Sequence, residues 1–170
     1  MNHSIREFRD LDIAKIYTLV GDIYATSDYM SETLMEKFPT LDSFARYIKE
    51  LSSRPGAMAL VAEMKGELCG YLTIMPRYQA KLRHTSELNM GVRSSARGQG
   101  IGKLLLKEAL RRARESGVLE IIYLMVRVDN TPAIRLYKNM GFDHVAVLKN
   151  DTKTRERYYD GYLMRKFVNS

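Results

Sequence analysis

The sequence predicts an α/β fold, a mixed central β-sheet flanked by helices. Three observations carry that prediction. Short apolar runs alternate along the 170 residues with segments whose apolar positions recur three and four apart. Leu119 to Val128 is almost continuously apolar, the pattern of a central strand buried on both faces. Between the apolar run Leu88 to Val92 and the helix-like run Lys103 to Ser116 stands a glycine-rich turn, Arg97-Gly98-Gln99-Gly100-Ile101-Gly102. That is the strand–turn–helix order from which α/β proteins are built.

The elements follow in order. Ser4 to Arg9 fits a short first strand. Asp10 is placed to cap a helix with Ile13, Ile16, Val20 and Ile23 on one face. Asp28 to Thr40 is mixed and polar, broken by Pro39. Leu41 to Leu51 returns to helical spacing through Phe44, Ala45, Ile48 and Leu51, and Pro55-Gly56 ends it. Two strands come next, about Ala57–Met64 and Leu68–Met75, and Lys65-Gly66-Glu67 turns them into a hairpin. Pro76 to Thr85 is a basic loop and Glu87 to Val92 the following strand. After the glycine turn, Ile101, Leu105, Ala109 and Ala113 fall four apart on a helix that Gly117 closes. Thr131-Pro132 opens another helix, with Pro in its first turn, and Gly141-Phe142 stops it. His144–Leu148 and Tyr158–Phe167 complete the sheet as an antiparallel pair joined by a polar loop. No repeat or linker divides the chain, so a single domain over residues 1–170 is expected.

Composition narrows the partners. The single cysteine, Cys69, excludes an intramolecular disulfide and reads as a core residue. There is neither a secretory leader pattern nor a membrane-length apolar run, so a soluble cytoplasmic protein is expected. No cluster has metal-ligand spacing, and no metal is expected. The net charge of +7 is uneven. Residues 1–80 hold 9 Lys and Arg against 11 Asp and Glu; residues 81–170 hold 18 against 9. A basic second half suits a polyanion. No helix-turn-helix, zinc or aromatic RNA-binding signature accompanies it, so nucleic acid is the weaker reading.

The glycine turn before a helix is an anion site in the making. Glycines let backbone N–H groups approach a phosphate, and the helix N-terminus adds unpaired donors and a partial positive charge. Two nucleotide patterns fail on spacing. A mononucleotide loop needs Gly where Arg97 stands and Ser or Thr where Leu104 stands. A dinucleotide fingerprint needs Gly where Lys103 stands. What remains is R-x-x-G-x-G. Downstream lies Asn130-Thr131-Pro132-Ala133-Ile134-Arg135-Leu136-Tyr137-Lys138-Asn139-Met140-Gly141-Phe142. Together the two stretches resemble the pyrophosphate loop and the N-x-x-A-x-x-L-Y-x-x-x-G-F segment of the GCN5-related N-acetyltransferases, over about Glu87 to Phe142.

The resemblance implies a GNAT-like acyl-CoA-binding fold, acetyl-CoA as co-substrate and an amine as acceptor. It implies that the amides of Arg97, Gly98, Gln99, Gly100, Ile101, Gly102 and Lys103 wrap the pyrophosphate. It implies that the strand Asn89 to Val92, with Met90, Gly91 and Val92, pairs through its backbone with the pantetheine arm, with an N–H near Met90 or Val92 facing the reacting oxygen. Asn130 would cap its helix, bind the pantetheine arm, or do both. Tyr137 is the candidate general acid: a neutral phenol, with a reference pKa of about 10, can donate to a departing thiolate. Relatives that acetylate peptide α-amines carry Glu five residues before the Asn; here that position is Met125. The general base therefore stays open between Glu87, at the start of the central strand, and His84, which has a suitable reference pKa but lies in a loop. Asp28, Glu32 and Glu36, four apart and near Tyr24 and Tyr29, would share a face if helical and attract a cationic acceptor. A small-molecule amine is the favoured acceptor and a protein N-terminus or lysine the alternative. A non-catalytic CoA-binding module is a third reading. Members of the family are often homodimers.

Overall fold

The computed structural model describes residues 3–170. One seven-stranded sheet runs through it: β1 (His3–Glu7), β2 (Met58–Met64), β3 (Glu67–Pro76), β4 (Thr85–Val92), β5 (Ile121–Arg127), β6 (Asp143–Lys153) and β7 (Tyr158–Phe167). Their spatial order is β1-β2-β3-β4-β5-β7-β6. Every neighbouring pair is antiparallel except β4 and β5. Five helices surround the sheet: α1 (Ile13–Ala25), α2 (Leu34–Lys37), α3 (Leu41–Ser52), α4 (Ile101–Ser116) and α5 (Thr131–Asn139).

The sheet is filled from both sides. On one face, Leu105, Leu106, Ala109 and Ala113 of α4 and Tyr137 of α5 pack with Leu60, Leu72, Leu88, Ile122 and Leu124. On the other, Ile16, Leu19, Val20 and Ile23 of α1 and Phe44, Ile48 and Leu51 of α3 pack on Val61 and Tyr71. That second layer covers only the β1–β4 half. Beyond it the same face of the sheet is open, and Met125, Leu148 and Phe167 are 40–46% exposed.

Several expectations need correction. Asp10 does not cap α1. It begins a short 3-10 turn, Asp10–Asp12, and no side chain caps the helix that follows. The carboxylate of Asp12 is drawn instead to Arg6, 2.6 Å away. β5 is not buried on both faces: Ile122, Leu124 and Val126 enter the core while Met125 faces solvent. Its continuous apolar run arises because the second face lines a cleft. β6 is longer than His144–Leu148 because its polar end stays in the ladder. Asp160 accepts from the Asn150 N–H at 2.9 Å and from Lys149 Nζ at 2.7 Å, which holds the bulge between Leu148 and Thr152. Finally, the segment 28–40 contains α2, fixed by a reciprocal cap in which Thr33 and Glu36 bond each other's backbone. The Thr-x-x-Glu spacing was a readable signal for it.

Candidate active site

The only parallel pair in the sheet is also its shortest. β4 and β5 pair at three positions, Thr85 with Ile121, Ser86 with Ile122 and Glu87 with Tyr123, and then part. The fork opens into a cleft of about 840 Å³ that reaches from the glycine turn to the β6–β7 hairpin.

The register shows which atoms face the gap. The Arg77 N–H donates to Thr85 O at 3.1 Å and the Arg93 N–H to Cys69 O at 2.8 Å, at the two ends of the β3–β4 ladder. Antiparallel strands alternate bonded and non-bonded pairs. The odd-numbered residues of β4 therefore bond β3, and the main chains of Leu88, Met90 and Val92 point the other way. β5 has left them, so these groups face the cleft. Gly91 lines the cleft too, but its main chain is turned to β3. Its missing side chain serves packing: a Cβ there would lie 2.8 Å from Ile23 and 2.9 Å from Tyr71.

The glycine turn sits at the mouth. Gly98 and Gly100 have φ of 74° and 80°, and a Cβ on either would meet nothing within 4 Å. The cradle is open on its outer side. α4 begins at Ile101, and its first helical bond is Leu104 N–H to Gly100 O at 3.0 Å, which leaves the preceding first-turn N–H groups without an intrahelical acceptor. Lys103 adds a cation within that first turn. Two residues act otherwise than the motif suggests. The Arg97 N–H is spent on Ser94 O at 3.3 Å and its Nε on Val92 O at 3.1 Å, so Arg97 closes the strand end. Gly102 is small because α5 is close: a Cβ would stand 3.1 Å from Leu136. An anionic ligand with amide groups on an extended arm fits this arrangement, anion on the turn and arm along β4.

Side chains alternate across the sheet, so the cleft has two halves. Tyr137 of α5 reaches it from the α4–α5 side. It is 7% exposed, and burial alone pushes its phenol up to about 12. At neutral pH the group is an intact proton donor. Asn130 starts α5, its Oδ1 accepting from the Ala133 N–H at 3.3 Å, which leaves its NH₂ free for a second partner.

The opposite half presents Glu87 and Asn89 of β4 and Tyr123, Met125 and Arg127 of β5. Glu87 stands at the fork, its side chain 62% exposed and 3.6 Å from Arg77. Asn89, two residues along the same face, was read from the sequence only as backbone of the pantetheine-pairing strand, although period-2 spacing from Glu87 puts its side chain here. His84 does not line the cleft. It lies beyond the closed end, where its carbonyl accepts from Glu120 and Ile121. Asp28, Glu32 and Glu36 share no helix face, because α2 starts only at Leu34. Of the three only Glu32 lines the cleft, and it is held by Lys37 at 2.6 Å. Cys69 is core, with burial raising its thiol.

Arg127 is the structural centre of this half. It holds Asp129 through two bonds of 2.9 and 2.6 Å and donates to Asp28 O at 2.7 Å. Its guanidinium lies 3.8 Å from the Tyr159 ring centroid and 5.1 Å from that of Tyr29. Asp129's carboxyl is held below the usual range by this partner. One cation thus ties the segment after α1, the β5–α5 turn and the β6–β7 hairpin into a single wall. No spacing rule pointed to it, because its partners come from three distant stretches of chain.

Comparisons with known proteins agree with this architecture. The family model described as the acetyltransferase (GNAT) family matches residues 23–142. The chain is 29% identical over 150 residues to an L-amino acid N-acetyltransferase of Escherichia coli (strain K12), covering 88% of this chain and 91% of that one. It is 36% identical over 131 residues to an N-alpha-acetyltransferase of Sulfurisphaera tokodaii, covering 71% and 73%. A GNAT-family acetyltransferase of Streptococcus pneumoniae superposes with a TM-score of 0.90 at 25% identity, over 98% of this chain and 99% of that one.

Proposed function

The chain belongs to the GNAT family of acetyltransferases, and from that premise we propose that its acceptor is the primary amine of a small molecule, attacked directly in a ternary complex with acetyl-CoA. The protein is an acetyl-CoA-dependent N-acetyltransferase. Acetyl-CoA supplies an acetyl group activated as a thioester. The observation that carries the reading is the fork, where the main chain of Met90 and the Val92 N–H lead from the open glycine cradle toward the neutral phenol of Tyr137.

In this reading the chain's own groups divide the work. The amides from Gly98 to Lys103, with the α4 N-terminus, hold the pyrophosphate. Met90 and Val92 bond the arm as a strand would, and a main-chain N–H there faces the carbonyl oxygen that gains charge. Asn130 steadies the arm with its free amide. Tyr137 gives its proton to the departing sulfur. Glu87, exposed at the fork beside Arg77, attracts the acceptor's ammonium. Arg127 draws the segment after α1 and the β6–β7 hairpin together at one side of the acceptor half, a wall that favours a compact ligand.

The relatives divide between an L-amino acid N-acetyltransferase and an N-alpha-acetyltransferase, and the second favours a peptide N-terminus as the alternative reading. Thiol release from acetyl-CoA, measured against a panel of amino acids, polyamines, aminoglycosides and peptides, separates the two. Turnover of small amines at higher kcat/KM than any peptide is expected. Peptides as the best acceptors would replace the small-molecule assignment.

A further inference from the structure

β5 lines the acceptor half with Tyr123, Met125 and Arg127 and brings no carboxylate to it. The hairpin brings one. Asp151 belongs to β6 and lines the cleft together with Thr152. Its position is marked by Gly161 of β7: a Cβ on that glycine would lie 2.7 Å from Asp151 Oδ2 and 3.0 Å from Met125 Cε. The carboxylate and the end of Met125 therefore lie within about 6 Å of each other, on the acceptor face, where only a glycine leaves room. The bulge that aims Asp151 is fixed by Asp160, through Lys149 and the Asn150 N–H.

From this juxtaposition we propose that Asp151 is the proton acceptor for the acceptor amine, a carboxylate that the neighbouring hairpin supplies where β5 has none. The proposal rests on the acetyltransferase reading above and deepens it. Glu87 at the fork, tied to Arg77, is left to attract the ammonium. The charged groups around Asp151 leave it free. Among the described residues, Lys149 is held by Asp160 and Arg127 by Asp129; Glu32 is held by Lys37; Lys153 stands over the Tyr158 ring at 5.2 Å. Tyr159 and Tyr29 are engaged with Arg127.

The proton count closes. The ammonium gives one proton to Asp151, which returns it to water through the open face. The neutral nitrogen then forms the C–N bond as the C–S bond breaks. Tyr137 protonates the sulfur and regains its proton from water, while the second nitrogen proton leaves to solvent. The net products are the acetylated amine, the free thiol and one proton.

The test uses the whole chain with acetyl-CoA and two probes, L-alanine and a hexapeptide beginning with alanine, together with the amine panel above. Asp151→Asn keeps the shape and removes the basicity. Its kcat/KM should fall about 10²-fold at pH 6.5, within the range of positioned proton acceptors. The deficit should shrink as pH passes the amine's own pKa, about 8 for a peptide α-amine, where the substrate arrives neutral. Met125→Glu added to Asp151→Asn should restore most of the loss by supplying a carboxylate from β5. Acetyl-CoA affinity, measured by calorimetry, should match wild type in both variants. A wild-type pH profile in Asp151→Asn, a loss equal at every pH, or no recovery with Met125→Glu overturns the assignment. A Glu87→Gln variant showing that pH-dependent loss in place of Asp151→Asn also overturns it. If the wild type acetylates no amine at all, the parent reading falls and this proposal falls with it.

Discussion

Tyr137 carries the sharpest single-residue consequence. Its phenol is buried in the core yet borders the cleft, and burial holds it near 12. Tyr137→Phe keeps the ring against Phe142, 5.7 Å centroid to centroid, and removes only the proton donor. kcat should fall about 10²–10⁴-fold with acetyl-CoA affinity nearly intact, and less at high pH, where the thiolate leaves unaided. Stopped-flow thiol release across pH reads this directly; a wild-type kcat at every pH would reduce Tyr137 to a core aromatic. The residue was legible because its spacing from Asn130 is local to one helix. Glu87 was expected to begin its strand but stands two residues inside β4, at the last pair before the fork. Asn89, Arg127 and Asp151 were not singled out, since their meaning depends on which strands become neighbours. A sequence shows Asp151 as one more charge in a polar loop; only the β6–β7 register puts it beside Met125.

At the level of elements, two glycines in neighbouring segments answer to different physics and should fail differently. Gly100 bounds the open cradle at the start of α4. Gly100→Glu places a carboxylate where the anion must sit, so acetyl-CoA affinity should drop at least tenfold while the fold tolerates a left-handed non-glycine at about 1 kcal/mol. Calorimetry on the folded variant checks it, and unchanged affinity would put the phosphate site elsewhere. Gly91 touches α1 instead. Gly91→Ala must push Ile23 and Tyr71 apart, which should cost about 1–3 kcal/mol, read as a lowered urea midpoint with an unchanged slope. Element type was readable wherever period and punctuation agreed: α3, α4, α5 and the β2–β3 hairpin stand close to their expected limits. It was not readable where a tertiary partner decided. Asp10 opened a 3-10 turn where a cap was expected, Asp12 at the cap position bonded Arg6, and the polar end of β6 became strand because Asp160 supplied its bonds. β5 looked doubly buried because an apolar cleft wall and an apolar core leave the same trace in composition.

On the scale of the molecule, the carboxylates set an acid limit. Arg111 and Arg112 hold Glu108 down at about 2, and Asp12, Asp129 and Asp160 are lowered by Arg6, Arg127 and Lys149. Each binds its proton later in the folded state than in the unfolded chain. Their stabilisation is therefore complete above about pH 5 and is lost as pH falls toward 2. The net charge of +7 at neutrality only grows over that range, adding repulsion. Tm should fall steadily from pH 5 to pH 2, and Glu108→Gln should flatten the part of the slope below pH 4.5; equal slopes would mean that the α4 pairs contribute nothing. The fork between β4 and β5 has a consequence of another kind. Its ligand-facing atoms belong to the peptide unit, which every amino acid shares. Point mutations along that strand change what surrounds those atoms and leave the atoms themselves in place. Descendants of this gene can therefore rewrite the acceptor wall, residue by residue, without having to invent again a way of gripping the donor.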